Sequence, residues 1–448
     1  MDAPPAAPSL FRRGVSIIPA ALLCAWLLII FWNSAKPLPA GTHVISQVSR
    51  LSDFDVELLR EMPHDLAIGV REAAAIDHAE RLIVVDRSPV TRELAQRLLA
   101  RKRARPNIQI VVAADPANET FGGSPAQTLE ALEHAGIIVA RVQLDRLRDS
   151  NPLYSGLWRL LLGWWSDPFD EAPGQATVRS WLRTLNCKAN QRQLLVADDG
   201  SGGWNAIIAA DGSPAGLLLK GSLARAMIAS ELHIAKWSTD EDRLPAAAQM
   251  EGAGVGSIDA RFLTEGGIES ALLDAVRAAG RDDQISIAVG NLSHRALIAA
   301  AIAAAWRGAH LRILLSHNRM PNQAVADELL RDGGGRIEVR WYAGDPAAPR
   351  LSWLAVRRRN DLWVNLSSAN FTRRNLSDLN LEAGVELRMP PRAAPARALS
   401  EYFDGLWSGA GAAAGDAIAG GANEVAAKAG ALAYWHYRFA EATGLSSF

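Results

Sequence analysis

Short runs of consecutive apolar residues alternate with amphipathic stretches along most of this chain, and the alternation is made twice. Arg81 to Asp86, Ile108 to Ala114, Ile137 to Val142, Gln193 to Asp198 and Ala206 to Ala210 read as buried strands. Thr91 to Arg103 reads as a helix with cations near its C-terminal end. The second pass offers strands at Gln284 to Val289, His310 to Leu315, Ile337 to Tyr342 and Leu362 to Leu366, with an Ala-rich helix over Ser293 to Trp306. Such runs need cover on both faces, so the pattern predicts helices packed on each side of mixed, largely parallel sheets. Repetition within 448 residues, 49% of them apolar, implies a duplicated α/β unit of two similar lobes.

The exception is the beginning. Gly14 to Trp32 is almost wholly apolar, and at about nineteen residues it is long enough to cross a bilayer as a helix. Arg12 and Arg13 precede it, which predicts a cytoplasmic tail over 1–13, an anchor over 14–32 and an exported remainder, periplasmic in a bacterium. A cleaved signal peptide is the alternative, with small residues near Ala35 and Ala40, but the apolar run exceeds a usual signal core. The proline-bearing tract over 33–41 then serves as a stalk. The acidic and glycine-rich stretch over 241–256 divides a first lobe at 42–240 from a second at 257–448. The Gly/Ala-rich stretch from Ser408 to Gly430 carries Asp416, Glu424 and Lys428, which argues against a second span.

A net charge of −1 argues against a general nucleic-acid surface, so no nucleic-acid partner is expected. The two cysteines, Cys24 and Cys187, imply no disulfide framework, and neither lobe has a spaced His/Cys cluster for a metal. No cofactor is implied. The loop Ser201 to Gly203 lacks a P-loop lysine and reads as a hairpin turn.

The chemically informative segment is Leu366 to Glu382, LSSANFTRRNLSDLNLE. Ser368 and Asn370, followed by Asn380 and Glu382, resemble the Gly-Ser-x-Asn and Asn-x-Glu elements of the phospholipase D superfamily. In the first lobe, Leu185 to Asp199 (LNCKANQRQLLVADD) resembles the Lys-Ala-Asn-His-Arg-Lys-x-x-x-x-Asp of a bacterial branch. Further ordered blocks carry the likeness: Leu144 to Arg159, Phe262 to Ile268, Asn291 to Arg295, Ala309 to Asn318, Met320 to Val325 and Glu441 to Phe448. The resemblance implies two α-β-α sandwich lobes meeting across a pseudo-twofold axis. Each lobe would supply a His-x-Lys-Asp set, one histidine capturing phosphorus while the other moves protons.

Neither set is intact in this chain. Against the family pattern, Gln191 stands for the first histidine and Gln193 for the first lysine, with Asp198 present. In the second lobe the family spacing lands on Trp353, Ala355 and Asn360. A glutamine amide hydrogen-bonds phosphate but cannot carry a phosphoryl group. The resemblance therefore implies a membrane-anchored protein without intact catalytic machinery. It would bind a phospholipid headgroup, another anionic ligand or a protein partner such as an active paralogue. Lys188, Asn190, Ser368, Asn370 and Arg374 are the candidate ligand groups, with Glu382 as the accompanying carboxylate. The alternative is an active phosphodiesterase with a relocated histidine, His317 first and His294 second. The arginines at 357–359 and at 373–374 admit both an anion-attracting rim and ordinary solvated turns.

Overall fold

The computed structural model describes residues 10–62, 65–120, 126–163, 177–209, 215–246, 255–316, 320–342, 352–410 and 435–439. Its strands in chain order are β1 (Ser49–Leu51), β2 (Val56–Met62), β3 (Asp65–Leu66), β4 (Leu82–Asp86), β5 (Gln109–Ala114), β6 (Ile138–Arg141), β7 (Leu194–Asp198), β8 (Trp204–Ala209) and β9 (Ala215–Lys220). They continue with β10 (Ile258–Thr264), β11 (Gln284–Val289), β12 (His310–Leu315), β13 (Ile337–Trp341), β14 (Ser352–Arg357), β15 (Leu362–Ser367) and β16 (Ala383–Met389).

Two eight-stranded sheets result, in the orders β3-β2-β9-β8-β7-β4-β5-β6 and β1-β10-β16-β15-β14-β11-β12-β13. Beyond the first strand of each, the orders correspond term by term, so the duplicated unit is present. The sheets are mixed, but the expectation of largely parallel pairing is corrected. Only β4-β5, β5-β6, β11-β12 and β12-β13 are parallel, and every other pair is antiparallel. Connection length is part of the cause: β7, β8 and β9, like β14 and β15, follow one another through short returns, which force antiparallel neighbours. β1 adds to the edge of the second sheet, and Ile45 bridges Leu263 beside it. The chain thus visits the second sheet before it builds the first.

Period-two burial sorts each sheet's side chains into two layers. Ile83, Val85, Ile110, Val112 and Leu195 face helices Ala67–His78, Arg92–Ala104 and Ala126–His134. In the second sheet Ile285, Ile287, Leu311 and Ile313 face helices Gly266–Ala278, Arg295–Trp306 and Met320–Asp332. The opposite faces meet each other. Val84, Val196 and Leu217 share one core with Phe262, Trp353 and Val385, and helices Leu223–Ala235 and Ala394–Ser408 fill in between. This shared core fixes the lobes face to face and brings their strand ends to a common edge.

The apolar N-terminal run forms a helix, Leu10–Ala35, within which Ile18–Ala35 is long and apolar enough to cross a membrane. The tract after it is held against the lobes: Lys36 Nζ donates to Asp145 O (2.5 Å), Trp237 Nε1 to Ala40 O (3.2 Å) and Arg192 Nη2 to Gly41 O (2.7 Å). The loop after β7 is a hairpin turn as expected, with Asp199 Oδ1 accepting from the amides of Ser201 and Gly203 at 2.8 Å each. His317 and the stretch from 411 to 434 lie outside the described residues.

Candidate functional site at the lobe junction

The second-lobe half of the site begins where β15 ends. Ser368 N donates to Ala383 O at 2.8 Å, extending the ladder to β16 by one rung, and its Oγ accepts from Ala383 N at 3.1 Å. That geometry turns the hydroxyl toward Glu382, to which it donates. Thr372 then caps the single helical turn Arg373–Leu376, accepting from Asn375 N at 3.4 Å. The turn buries Arg374 and aims Asn375 back at Glu382 Oε1. Asn370 is half-buried, and its Oδ1 accepts from Asn291 N at 3.1 Å.

The first lobe arrives alongside. Ala189 and Gln191 form backbone hydrogen bonds with Leu381 at 3.0 and 2.9 Å, and Asn380 Oδ1 accepts from Ala189 N at 3.1 Å. Asn375 Nδ2 also reaches Gln191 Oε1 at 2.9 Å. Gln191, Asn375, Glu382 and Ser368 therefore form one hydrogen-bonded chain across the junction, open to solvent at Gln191. The position that would hold the first histidine is linked to the carboxylate of the second lobe through Asn375.

The other candidate residues are engaged elsewhere. Lys188 Nζ pairs with Asp149 Oδ1 at 2.8 Å and donates to Leu147 O at 2.6 Å. Asn190 is buried between Asp86 and Asp115, donating to each at 2.8 Å. Gln193 donates to Ser88 O at 2.5 Å and accepts from Arg87 at 3.2 Å. Asp198 sits at the far end of β7, about 17 Å from Gln193 at about 3.3 Å per residue. There it accepts the amides of Arg81 and Leu82 at 2.8 Å, Glu80 at 3.0 Å and Gly200 at 3.1 Å. Burial favours its neutral form, but these backbone donors hold its pKa below the ordinary value.

Trp353 and Ala355 point into the shared core from β14, as Leu194 and Val196 do from β7. Trp353 stands opposite Ala288 where Leu194 stands opposite Asp86. By register, the counterpart of Gln191 therefore falls at residue 350, outside the described residues, rather than at Trp353. Asn360 is exposed in the turn between β14 and β15.

The strongest electrostatic feature is Arg192, which lies between the two glutamines, outside the motif positions. Its guanidinium is fully buried, donating to Glu265 Oε1 (2.7 and 3.1 Å), Glu231 Oε1 (2.8 Å), Ser230 Oγ (3.0 Å) and Gly41 O (2.7 Å). Burial works against its charge, but Glu265, Glu231 and Asp86 overcome that and raise its pKa. Glu265 in turn accepts from Glu382 N and His43 N at 2.9 Å each, so one carboxylate ties both lobes to the N-terminal tract. It does so from a strained backbone, φ +41°. The glycines that follow are required by close approach. A Cβ on Gly266 would lie 2.6 Å from His43 Nδ1, and one on Gly267 2.5 Å from Val44 O.

Burial also sets the protonation of the neighbouring acids. Asp86 is pushed well above its ordinary value, first by burial and then by the charge of the nearby Glu231. Asp115 is raised to about 6 by burial. Glu382 is raised to about 8, again by burial, against which the hydrogen bonds from Ser368 and Asn375 pull only partly back. At neutral pH Glu382 is chiefly a neutral acid.

Two histidines flank this region. His43 Nδ1 meets Asp378 Oδ1 at 3.0 Å, and His294 Nε2 meets Glu269 Oε1 at 3.2 Å. Among the described residues no histidine hydrogen-bonds to Ser368, Asn370, Asn375 or Glu382.

A family model described as the phospholipase D-like domain of cardiolipin synthase matches residues 272–407, the segment that holds Ser368, Asn375 and Glu382. That segment is phospholipase D-like. The chain's fold is similar to the crystal structure of phosphatidylserine synthase from Haemophilus influenzae Rd KW20, with a TM-score of 0.53 and 11% identity, over 80% of this chain and 87% of that one. Weaker similarities reach the phospholipase D family member Nuc from Salmonella typhimurium (TM-score 0.29, 18% identity, 34% of this chain and 97% of that). Polyphosphate kinase from Porphyromonas gingivalis also matches (TM-score 0.44, 12% identity, 78% and 46%). A search of curated proteins found no match.

Proposed function

We propose that this chain is a phospholipase D-like, membrane-anchored protein that binds a phosphate-bearing ligand, a phospholipid headgroup foremost, at the lobe junction without hydrolysing it. The observation that carries the reading is the environment of Gln191. Phosphoryl capture needs an imidazole at a point where this chain presents a carboxamide bonded to Asn375. The adjoining carboxyl, Glu382, is neutral at pH 7 and already bonded to Ser368, so it is not poised as a base. Exposed Gln191 and half-buried Asn370 leave amide groups at the edge of the site that suit phosphoryl oxygens. The family model supports a lipid headgroup as the ligand class. Arg12 and Arg13 before the apolar helix support a single-pass anchor in a bacterial inner membrane, with the N-terminus cytoplasmic and the lobes periplasmic.

The test is a hydrolysis assay of the purified full chain against a panel of phospholipids and phosphodiesters, beside the double variant Gln191→His/Gln193→Lys. Binding of headgroup-bearing vesicles is measured in parallel. No turnover by the native chain is expected, with binding weakened by Asn370→Ala or Gln191→Ala. Unchanged vesicle binding in both variants would favour a protein partner, such as an active paralogue, as the occupant. A second reading rests on the His43–Asp378 pair, which has the composition of an oriented general base. Turnover by the native chain that His43→Ala abolishes would establish that phosphodiesterase and overturn the first reading.

A further inference from the structure

Helix Pro152–Leu161 lies in the first lobe yet packs along the apolar N-terminal helix. At Gly156 the two come so close that a Cβ would stand 2.7 Å from Ile30 Cγ1 and 2.9 Å from Trp26 Nε1. Trp26 Nε1 donates to Leu153 O at 3.2 Å, and Asp149 N to Asn33 O at 3.3 Å. The contact therefore covers the stretch from Trp26 to Asn33 of a candidate span that ends at Ala35. At about 1.5 Å per residue, Trp26 is about 13 Å from that end. Any bilayer that holds the span must hold this helix at the same depth.

Its outward face fits that position. Leu153, Leu157 and Leu161, spaced every four residues, are 37%, 45% and 51% exposed, while Trp158 and Ser155 on the inner side are buried. The adjacent helix Val178–Thr184, tied on through Tyr154 Oη to Leu182 O at 2.8 Å, leaves Trp181 53% exposed on the same part of the molecule. At about 15 Å, Pro152–Leu161 is too short to cross a bilayer but long enough to lie within one leaflet. The charges near its ends are paired internally: Arg159 and Lys188 both bond Asp149, and Arg183 bonds Asp145 at 2.7 Å.

We infer that helix Pro152–Leu161 is a second membrane element, embedded beside the anchor in the leaflet on the side of the lobes, with Leu153, Leu157 and Leu161 against lipid acyl chains. The inference rests on the anchor reading of the N-terminal helix. Its consequence is that the lobes are seated on the membrane at a fixed height instead of swinging on a tether. Lys188, three residues before Gln191, is bonded to Asp149 at the foot of this helix, so the lobe junction is referenced to the same surface.

The experiment uses the full chain with Cys24→Ser and Cys187→Ser. Single cysteines placed by Leu27→Cys, Leu157→Cys or Glu93→Cys carry an environment-sensitive fluorophore. Each protein is reconstituted into vesicles of phosphatidylethanolamine and phosphatidylglycerol, with and without nitroxide-labelled acyl chains. Blue-shifted emission and quenching by the nitroxide lipid are expected for labels at positions 27 and 157, and neither for position 93. A lipid-quenched label at 27 with a water-exposed, unquenched label at 157 overturns the inference and leaves the anchor standing. Water exposure at both positions overturns the anchor reading and the inference together.

Discussion

Replacing Glu382 with glutamine should stabilise the protein at neutral pH, although Glu382 is a motif residue at the centre of the candidate site. The wild-type carboxyl titrates near 8 when folded, against an ordinary value of 4.5. The folded state therefore holds a proton that the unfolded state releases between these values. For an acid whose folded pKa is raised, that contribution is fully present below about pH 4.5 and is lost as pH rises through 8. At about 1.4 kcal/mol per unit, the loss at pH 7 is about 3 kcal/mol. Glutamine has the size of glutamic acid and still offers an oxygen to Asn375 and an amide to Ser368, so Glu382→Gln should escape the loss. Denaturant midpoints of both proteins, measured from pH 5 to pH 8 in the same detergent, read the difference. The variant's advantage should grow with pH and approach its limit near pH 8. Parallel curves, or a variant that weakens as pH rises, would show that Glu382 is held ionised and would refute the reasoning.

Arg192→Met should cost about 3–5 kcal/mol by the same denaturation assay, because Glu265 and Glu231 lose a buried counter-charge. The loss should shrink when Glu265→Gln is added. Asp198→Ala should destabilise by about 2 kcal/mol or more, since buried amides of β4 and its preceding turn lose their acceptor. Asp198 has a lowered folded pKa, so its contribution is present above the ordinary carboxylate value and disappears as pH falls through the folded one. Vesicle binding by folded Asp198→Ala protein should match wild type, which separates this position from the lobe junction.

Much of the central sheet structure was legible because its strands are continuous apolar runs. β11 and β12 fall at the read boundaries, and β4, β5, β7 and β15 within a residue. The strands that escaped are β1, β2, β3, β9, β10, β14 and β16. Glu57 and Arg60 interrupt β2, and Gly384 and Glu386 lower the strand propensity of β16, whose pairing with β10 and β15 is decided by distant sequence. Those unread strands take part in every antiparallel pair except β4-β7 and β7-β8, which is why the sheets looked more parallel than they are. At the site, Ser368 and Glu382 were legible through short spacing along one segment. Gln191 and Asn375 are 184 residues apart, and Arg192 and Glu265 are 73 apart. Neither pair has a local signature. The one available signal was Glu265-Gly-Gly, where two successive glycines mark a backbone crowded by His43 and Val44.

On the reading proposed above, the junction also accounts for motif residues that stand without the reaction they would serve. Glu382 is wholly enclosed, and an enclosed carboxyl is tolerated only if it is neutralised, paired or well bonded. A cationic imidazole at position 191, one side chain removed from Glu382 through Asn375, would draw the carboxyl toward its ionised form. With glutamine there, Arg192, committed to Glu265 and Glu231, offsets the cost of burial only in part. Glu382 then keeps its proton and becomes a structural partner of Ser368 and Asn375. The missing imidazole and the raised pKa are thus two sides of one arrangement. Gln191→His should lower the titration of Glu382 and flatten the fall of stability with pH, whether or not it restores turnover.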